Sequence, residues 1–215
     1  MSKYLINKSF LTRVDRSDRV LEIAEAFGLG LDDRKFVVFE NLELDVKKGD
    51  IVYITGQSGS GKSILLRELS EKVKSNQTVT DIDKIELLEK PLIDQIGENT
   101  NEGLKYLSIA GLNDAYLFVR KPSELSDGQR YRFKLAKLIE SKTEVWVADE
   151  FLAVLDRVSA RVIAYNMQKI ARQQKATLIV ATTHMDLMED LNPDLYIEKR
   201  YREKVHVKAF NESKG

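Results

Sequence analysis

The amino-acid sequence predicts an α/β protein with a mostly parallel central sheet, and three features lead to this prediction. Residues 145–148 and 177–181 are near-continuous apolar runs that lack the alternation of a strand exposed on one face. A long helix is predicted between them, at residues 159–173. A third apolar run, residues 51–55, leads through a glycine-rich loop into a helical pattern at 63–73. Strands buried on both faces and separated by helices are typical of a parallel sheet covered by helices.

Other segments predict an antiparallel portion beside this sheet. Residues 36–46 alternate apolar and polar side chains, as in a strand with one exposed face. Residues 195–199 and 204–210 predict a closing antiparallel pair. Residues 17–27 carry apolar side chains at helical spacing, and Gly28 provides a stop signal.

The middle of the chain predicts a helical region. Residues 92–117 are less regular and predict mostly helical structure. A further helix begins at residue 126 and is capped by Ser126 or Asp127. We therefore expect one domain over residues 1–215, with a helical subdomain at approximately 92–140.

Composition excludes several classes of function. With 215 residues, 43% hydrophobic and 32% charged, the chain is expected to be globular. Lys plus Arg and Asp plus Glu number 34 each, so no net charge attracts nucleic acid or an anionic membrane. The absence of cysteine excludes disulfides and thiolate sites. No run approaches the roughly 20 apolar residues that cross a bilayer, and we expect a cytoplasmic protein.

The glycine-rich loop GQSGSGKS predicts a phosphate-binding site. Glycines allow the backbone to point successive N–H groups at phosphate oxygens, and the helix that follows adds its positive end. Lys62 is expected to reach the β- and γ-phosphates, and the Ser63 hydroxyl to hold Mg²⁺. The preceding strand and following helix make a chance match improbable. The predicted nucleotide-binding residues of the loop are Gly56, Gln57, Ser58, Gly59, Ser60, Gly61, Lys62 and Ser63.

The segment VWVADE places two carboxylates at the end of a predicted buried strand. Asp149 is expected to hold Mg²⁺ through water. Glu150 occupies a position from which a carboxylate can polarise the attacking water. The alternative is structural, because strands often end in acidic residues where the chain reaches solvent. A phosphate loop upstream favours the functional interpretation.

Further motifs give the chain a resemblance to a known family. LSDGQR, residues 125–130, resembles the LSGGQ signature of ABC ATPases and lies between the phosphate loop and the acidic strand. FLAVLD follows Glu150 where the family has its D-loop, here with Asp156. His184 follows the next buried strand, where the family has its switch histidine. Gln95 is the best candidate for the Q-loop glutamine, which contacts the γ-phosphate and Mg²⁺. The resemblance covers roughly residues 36–185.

The resemblance implies an ABC-ATPase fold, ATP and Mg²⁺ as ligands, and a homodimer. In that family the signature of one subunit caps the ATP held by the phosphate loop of its partner, so two subunits enclose two ATP molecules. Here the signature residues acting in trans are Ser126, Asp127, Gly128 and Gln129. Considered alone, the same segment is better explained as an ordinary helix N-cap and turn.

One residue of the signature departs from the family's pattern. Asp127 replaces the first glycine of the usual signature pair and puts a negative charge where a γ-phosphate docks. A nucleotide-binding switch with little turnover is therefore a third, lower alternative.

Phe36, or else Phe27, is a candidate for adenine stacking, although a place in the core is favoured for both. The sequence has no Asn-Lys-x-Asp guanine-reading motif, so ATP is favoured over GTP.

Two main hypotheses describe the biological role. PLIDQIG, residues 91–97, resembles a set of archaeal and phage-type ABC ATPases that are not typical transporter subunits. This favours a free-standing ATPase that acts on a nucleic acid or protein assembly. The alternative is the energising subunit of a transporter, bound to an integral membrane partner. The run Lys199, Arg200, Arg202 and Lys204 is a possible phosphate contact, although a solvated strand edge is the more common meaning of such a run.

Overall fold

A computed structural model describes residues 2–201 and 203–210, apart from the side chain of Ser2. The chain divides into two compact units, Lys3–Leu44 and a larger unit that continues from Asp45. The single domain over residues 1–215, with its helical subdomain, stays a prediction.

The smaller unit contains a two-stranded sheet and one helix. Strand β1 (Ser2–Thr12) pairs with β2 (Arg34–Val46), whose last two residues belong to the larger unit. Helix α1 (Asp18–Phe27) lies between them in sequence and ends at Gly28, which adopts the left-handed conformation at φ 62°. This confirms both the predicted helix and its predicted stop signal. A glycine in the left-handed conformation commonly ends a helix.

The two phenylalanines proposed for the core or for adenine stacking lie at the surface. Phe27 is 73% exposed and Phe36 is 49% exposed. The favoured expectation that both are core residues is therefore wrong. Of the residues in α1, only Ala24 is buried, so the helical spacing of its apolar residues did not indicate a buried face.

The larger unit is built on a six-stranded sheet with the order β4-β5-β6-β3-β7-β8. Neighbouring strands of this sheet pair in parallel except for β7 with β8, which are antiparallel. Every residue of β3, β5 and β6 is buried, which explains why these strands are apolar without alternation. The strands are β3 (Ile51–Thr55), β4 (Val79–Asp81), β5 (Val145–Ala148), β6 (Thr177–Thr182), β7 (Leu195–Glu198) and β8 (His206–Ala209).

The helices of the larger unit follow the predicted order. The irregular region at 92–117 resolves into a 3-10 turn, Leu92–Gln95, and two helices. Further 3-10 turns lie at Ile82–Lys84 and Pro122–Glu124. The helices are α2 (Lys62–Lys74), α3 (Thr100–Ile109), α4 (Ala115–Phe118), α5 (Asp127–Glu140), α6 (Arg157–Gln174) and α7 (Met188–Leu191).

One hydrophobic cluster joins the sheet to the helices that carry the sequence motifs. It contains Tyr53 of β3, Trp146 of β5, Phe133 of α5 and Met167 of α6. Phe151, directly after the acidic pair, is also fully buried in it. The cluster therefore fixes the ends of β3 and β5 and the start of α5 relative to one another.

Within residues 2–201 and 203–210, no helix is long and apolar enough to cross a bilayer.

Candidate functional site

The glycine-rich loop connects β3 to α2 and depends on three glycines with positive φ. Gly56 has φ 137°, Gly59 has φ 72° and Gly61, at the N-cap of α2, has φ 102°. At Gly56 a Cβ atom would lie 1.9 Å from the carbonyl oxygen of Lys199, so a side chain has no room there. No side chain caps α2, and its first N–H groups face the loop as an anion-binding end.

Lys62 is held inside this loop. The residue is 8% exposed, and its Nζ donates a hydrogen bond to the carbonyl oxygen of Gln57 at 2.7 Å. Burial lowers the pKa of the Lys62 ammonium, while the carboxylates of Asp149 and Glu150 oppose this change. The hydroxyl of Ser60 is buried and has no hydrogen-bond partner among the described residues. A buried cation and a free hydroxyl suit a phosphate group.

The loop and the acidic pair line one open pocket of about 430 Å³. The structure thus brings together the two motifs that were identified separately in the sequence. The end of β6 closes another side of the pocket. The lining residues are Ser58, Gly59, Gly61, Lys62, Ser63, Ile64, Asp149, Glu150, Ala153, Ala181, Thr182 and Thr183.

The acidic pair is presented by an unusual backbone conformation. Glu150 has φ 44°, a left-handed conformation that costs energy for a residue other than glycine. Its N–H donates to Asp149 Oδ1 at 2.9 Å, and the next residue, Phe151, donates its N–H to the Ala181 carbonyl at 2.8 Å. Asp149 is half-buried and Glu150 is exposed at the pocket. The strained turn directs both carboxylates to the carboxyl edge of the sheet.

His184 lies just beyond the pocket wall, two residues after Thr182. Its N–H donates to Thr182 Oγ1 at 3.2 Å, and its carbonyl accepts hydrogen bonds from the Tyr53 hydroxyl and from Thr55 Oγ1. The side chain is 28% exposed, and Nδ1 lies 4.0 Å from Asp186 Oδ1. The roles of the two β3 hydroxyls were not predictable from the sequence, because Tyr53 and Thr55 fit a buried strand equally well without a partner.

Gln95 does not reach the pocket. Its amide nitrogen donates to the carbonyls of Leu88 and Lys90 at 2.8 and 2.5 Å, and its oxygen accepts the Leu88 N–H at 2.9 Å. These three bonds close the loop that precedes the 3-10 turn. The structure does not bring Gln95 to Ser63 and Asp149, so its predicted contact with Mg²⁺ and γ-phosphate has no geometric support in this conformation.

Two aspartates that sequence analysis missed lie nearer to the acidic strand. Asp81 pairs with Val147 in the parallel register of β4 and β5, and Asp83 follows it. Together with Ser63 and Asp149 they line a second pocket, beside α2. Burial raises the pKa of Asp83, and the carboxylates of Asp81 and Asp149 raise it further. The available signal was the position of these aspartates, with Asp81 at the end of the short, β-rich segment 77–81 and Asp83 two residues after it.

The signature segment forms the first turn of α5. Ser126 Oγ accepts the Gln129 N–H at 3.3 Å, and Gln129 Oε1 accepts the Ser126 N–H at 3.0 Å, which is a capping box. A Cβ on Gly128 would lie 3.2 Å from Leu155 Cδ2, so the D-loop lies directly against this turn. The Asp127 side chain is 85% exposed and pairs with Arg130 at 3.4 Å.

The signature does not complete the pocket of its own chain. Residues 126–129 are absent from the described residues that line the pocket beside the phosphate loop. The same is true of Asp156, which caps α6 by accepting the Ser159 N–H at 3.0 Å. Hydrogen bonds from Ser159 lower the pKa of the Asp156 carboxyl. One chain therefore presents a phosphate site and, at a separate place, a turn that is suited to bind a second anion.

The basic run near the C-terminus is partly engaged within the chain. Lys199 is 5% exposed, and its Nζ donates to the carbonyls of Arg200 and Glu203 at 2.9 and 2.6 Å. Arg200 Nε donates to Glu198 Oε1 at 2.7 Å. Arg202 lies outside the described residues. Two of the proposed phosphate contacts thus already have partners in the chain, which weakens the nucleic-acid interpretation.

A protein-family model described as "ABC transporter" matches residues 39–108, about a third of the chain. The methionine import ATP-binding protein MetN of Clostridium tetani is 28% identical over 194 residues, covering 72% of this chain and 59% of that protein. The cytochrome c biogenesis ATP-binding export protein CcmA of Aliivibrio fischeri is 27% identical over 188 residues, covering 73% of this chain and 89% of that protein. The chain thus spans less than two thirds of the methionine-import relative.

Solved structures share the fold at low sequence identity. The ATP-binding cassette MJ0796, described as a dimer in a post-hydrolysis state with ADP and Pi, is 16% identical with a TM-score of 0.67. The match covers 97% of this chain and 98% of that one. An inward-facing putative metal-chelate type ABC transporter is 19% identical with a TM-score of 0.61, over 82% of this chain and 77% of that one.

Proposed function

We propose that this chain, a P-loop ATPase domain with the ABC ATPase fold, hydrolyses ATP between two copies of itself and energises a membrane transporter. The proposal that two copies form the site rests on the separation of the pocket from the signature segment. The pocket holds Lys62, Ser63, Asp149 and Glu150, whereas Ser126 and its neighbours lie elsewhere on the same chain. A second copy can supply the missing anion site.

The chain's own residues explain how ATP is held. The loop N–H groups and the start of α2 face the phosphate oxygens, and Lys62 exchanges its bond to the Gln57 carbonyl for the β- and γ-phosphates. The buried Ser60 hydroxyl gains the partner that it lacks in the described residues. Because Lys62 is already buried, little further desolvation is needed for this exchange.

Ser63 and Asp149 are suited to hold Mg²⁺. Magnesium is commonly bound by one or two protein oxygens together with phosphates and water, and a hydroxyl and a carboxylate meet at this pocket. Bound there, the ion would neutralise charge on the phosphates. Gln95 is not part of this proposal, because its amide is used in the loop at Leu88 and Lys90.

Glu150 is the proposed general base. It is exposed at the pocket edge next to Asp149, so its carboxylate can accept a proton from a water molecule that attacks the γ-phosphate. His184, at the end of the adjacent strand β6, is the proposed sensor of the γ-phosphate. Both groups lie at the carboxyl edge of the parallel sheet, where ligands bind in folds of this kind.

Pairing of two copies would couple ATP to movement. Each ATP would contact the phosphate loop of one copy and the Ser126 turn of the other, so binding would favour the closed pair and hydrolysis would release it. Asp127 does not block this approach in the free chain, since its side chain points to solvent beside Arg130. The dimer reported for the cassette MJ0796 supports the same arrangement here.

The relatives support the transporter alternative over the free-standing, nucleic-acid-linked one that residues 91–97 favoured. The relatives described above are import and export ATP-binding proteins. The two engaged basic residues near the C-terminus give no added support to nucleic-acid binding. The chain would then act with an integral membrane partner.

ATP turnover with and without DNA, together with fractionation of the native host, tests this choice. We expect duplex and single-stranded DNA to change turnover by less than about twofold at low salt, where phosphate contacts are strongest. We expect the chain to sediment with membranes and to be released when its membrane partner is extracted. Stimulation by DNA of about tenfold or more, lost at high salt, would instead establish the nucleic-acid hypothesis.

A further inference from the structure

We propose that Tyr53 and Thr55 are positioning residues that hold the backbone of His184, and thereby aim its imidazole at the nucleotide. This proposal depends on the proposed function only for the identity of the ligand that His184 senses. The contacts themselves are independent of ATP. Neither β3 hydroxyl lines the pocket within the described part of the chain, so any effect on catalysis must pass through His184.

Three hydroxyl groups fix both backbone polar groups of His184. Tyr53 and Thr55 are two residues apart on β3 and therefore point to the same face of the sheet. Both donate to the His184 carbonyl, with Thr55 Oγ1 at 3.3 Å. From the adjacent strand β6, Thr182 Oγ1 accepts the His184 N–H at 3.2 Å. The main chain at His184 is thus fixed where it leaves the sheet, and the imidazole remains the adjustable part.

The phenol of Tyr53 is an unusual group for this position. Tyr53 is fully buried at the centre of the sheet, in a core where an apolar side chain would fill the space without needing a partner. Its ring contacts Tyr196 of β7 edge to face, with centroids 5.6 Å apart. Burial raises the pKa of Tyr53 to about 12, so the hydroxyl remains a donor at any physiological pH.

The same strand starts the phosphate loop. Thr55 directly precedes Gly56, and Tyr53 lies two residues before Thr55. The hydroxyls that hold the switch histidine are therefore attached to the backbone that receives the phosphates. This gives a short mechanical connection between the phosphate loop and His184 through β3. A loss of one hydroxyl should loosen the histidine without opening the pocket.

Tyr53→Phe is the variant that tests the proposal, with Tyr196→Phe as the matched control. Both changes remove one phenolic oxygen from neighbouring rings, but only the first removes a bond to His184. The chain has two histidines, His184 and His206, so selective histidine labelling gives two NMR signals. We expect Tyr53→Phe to broaden or split the His184 signal and leave His206 unchanged. Tyr196→Phe should leave both signals single.

Kinetics provide the second readout. We expect Tyr53→Phe to lower kcat about three- to tenfold, the effect of one lost hydrogen bond, with KM for ATP nearly unchanged. In a His184→Ala background the same change should lower kcat by less than twofold. Thr55→Ser should retain the wild-type kcat, because the donor hydroxyl remains, whereas Thr55→Val should lower it.

The outcomes separate this proposal from the proposed function. An unaltered His184 signal in Tyr53→Phe overturns the positioning role whether or not the protein hydrolyses ATP. An equal loss of kcat with and without His184 also overturns it, because the effect would then be a general loss of structure. If wild type has no turnover but the His184 signal responds as expected, the proposed function fails and the positioning of His184 stands.

Discussion

Glu150→Gln is expected to lower ATP turnover about 100- to 10,000-fold, the usual contribution of a positioned general base. Glutamine keeps the size of the side chain but cannot accept a proton from water. Lys62, Ser63 and the loop glycines are unchanged, so ATP binding should persist. Because bound ATP is no longer hydrolysed, the closed pair of chains should accumulate and appear as a dimer by light scattering.

Glu189→Gln is the matched control for this variant. It makes the same chemical change at a residue whose side chain is 91% exposed and pairs only weakly with Arg161, at 4.0 Å. Its turnover should remain within about twofold of wild type, as for most exposed substitutions. Wild-type turnover in Glu150→Gln would show that the catalytic carboxylate has been wrongly assigned.

Gly56→Ala is expected to destabilise the protein by about 3 kcal/mol or more and to abolish ATP binding. A Cβ atom there would lie 1.9 Å from the Lys199 carbonyl oxygen, and the backbone has φ 137°. The nearest atoms to this Cβ position all belong to the backbone of Lys199, so no flexible side chain can move aside. The loop or the end of β7 must shift, and the N–H groups that face phosphate would shift with it.

Gly59→Ala separates this steric effect from the cost of positive φ. Gly59 has φ 72°, but nothing lies within 4 Å of its Cβ position. We expect a loss of about 1–2 kcal/mol, the cost of a left-handed conformation alone. Urea unfolding gives both values. Equal losses for the two variants would contradict the close approach between Gly56 and Lys199.

The fold was predictable because its signals are local in the sequence. The apolar strands β3, β5 and β6 and the glycine loop between β3 and α2 indicate a parallel sheet with a phosphate site at its edge. The order of the motifs indicated the ABC ATPase fold, which the structural comparison confirms. Ser126 also caps α5 as one of the two predicted alternatives.

The missed features depend on contacts between segments that are distant in sequence. Strand β4 has only three residues, too few for a period to be recognised, and it is defined by its pairing with β5. The amide of Gln95 bonds to the loop at Leu88, which spacing alone does not reveal. The hydroxyl of Tyr53 donates to the carbonyl of His184, which lies 131 residues later in the chain. None of these contacts leaves a pattern in the local sequence.

Mixing Lys62→Ala with Ser126→Arg tests most directly whether the active site is shared by two chains. Each variant alone should be inactive, since one lacks the phosphate contact and the other lacks the capping turn. In a mixed pair, the intact loop of one chain meets the intact signature of the other. Random pairing then restores about a quarter of wild-type turnover, one active site in half of the dimers. A mixture that shows only the summed turnover of the two separate variants would contradict a site formed between two chains.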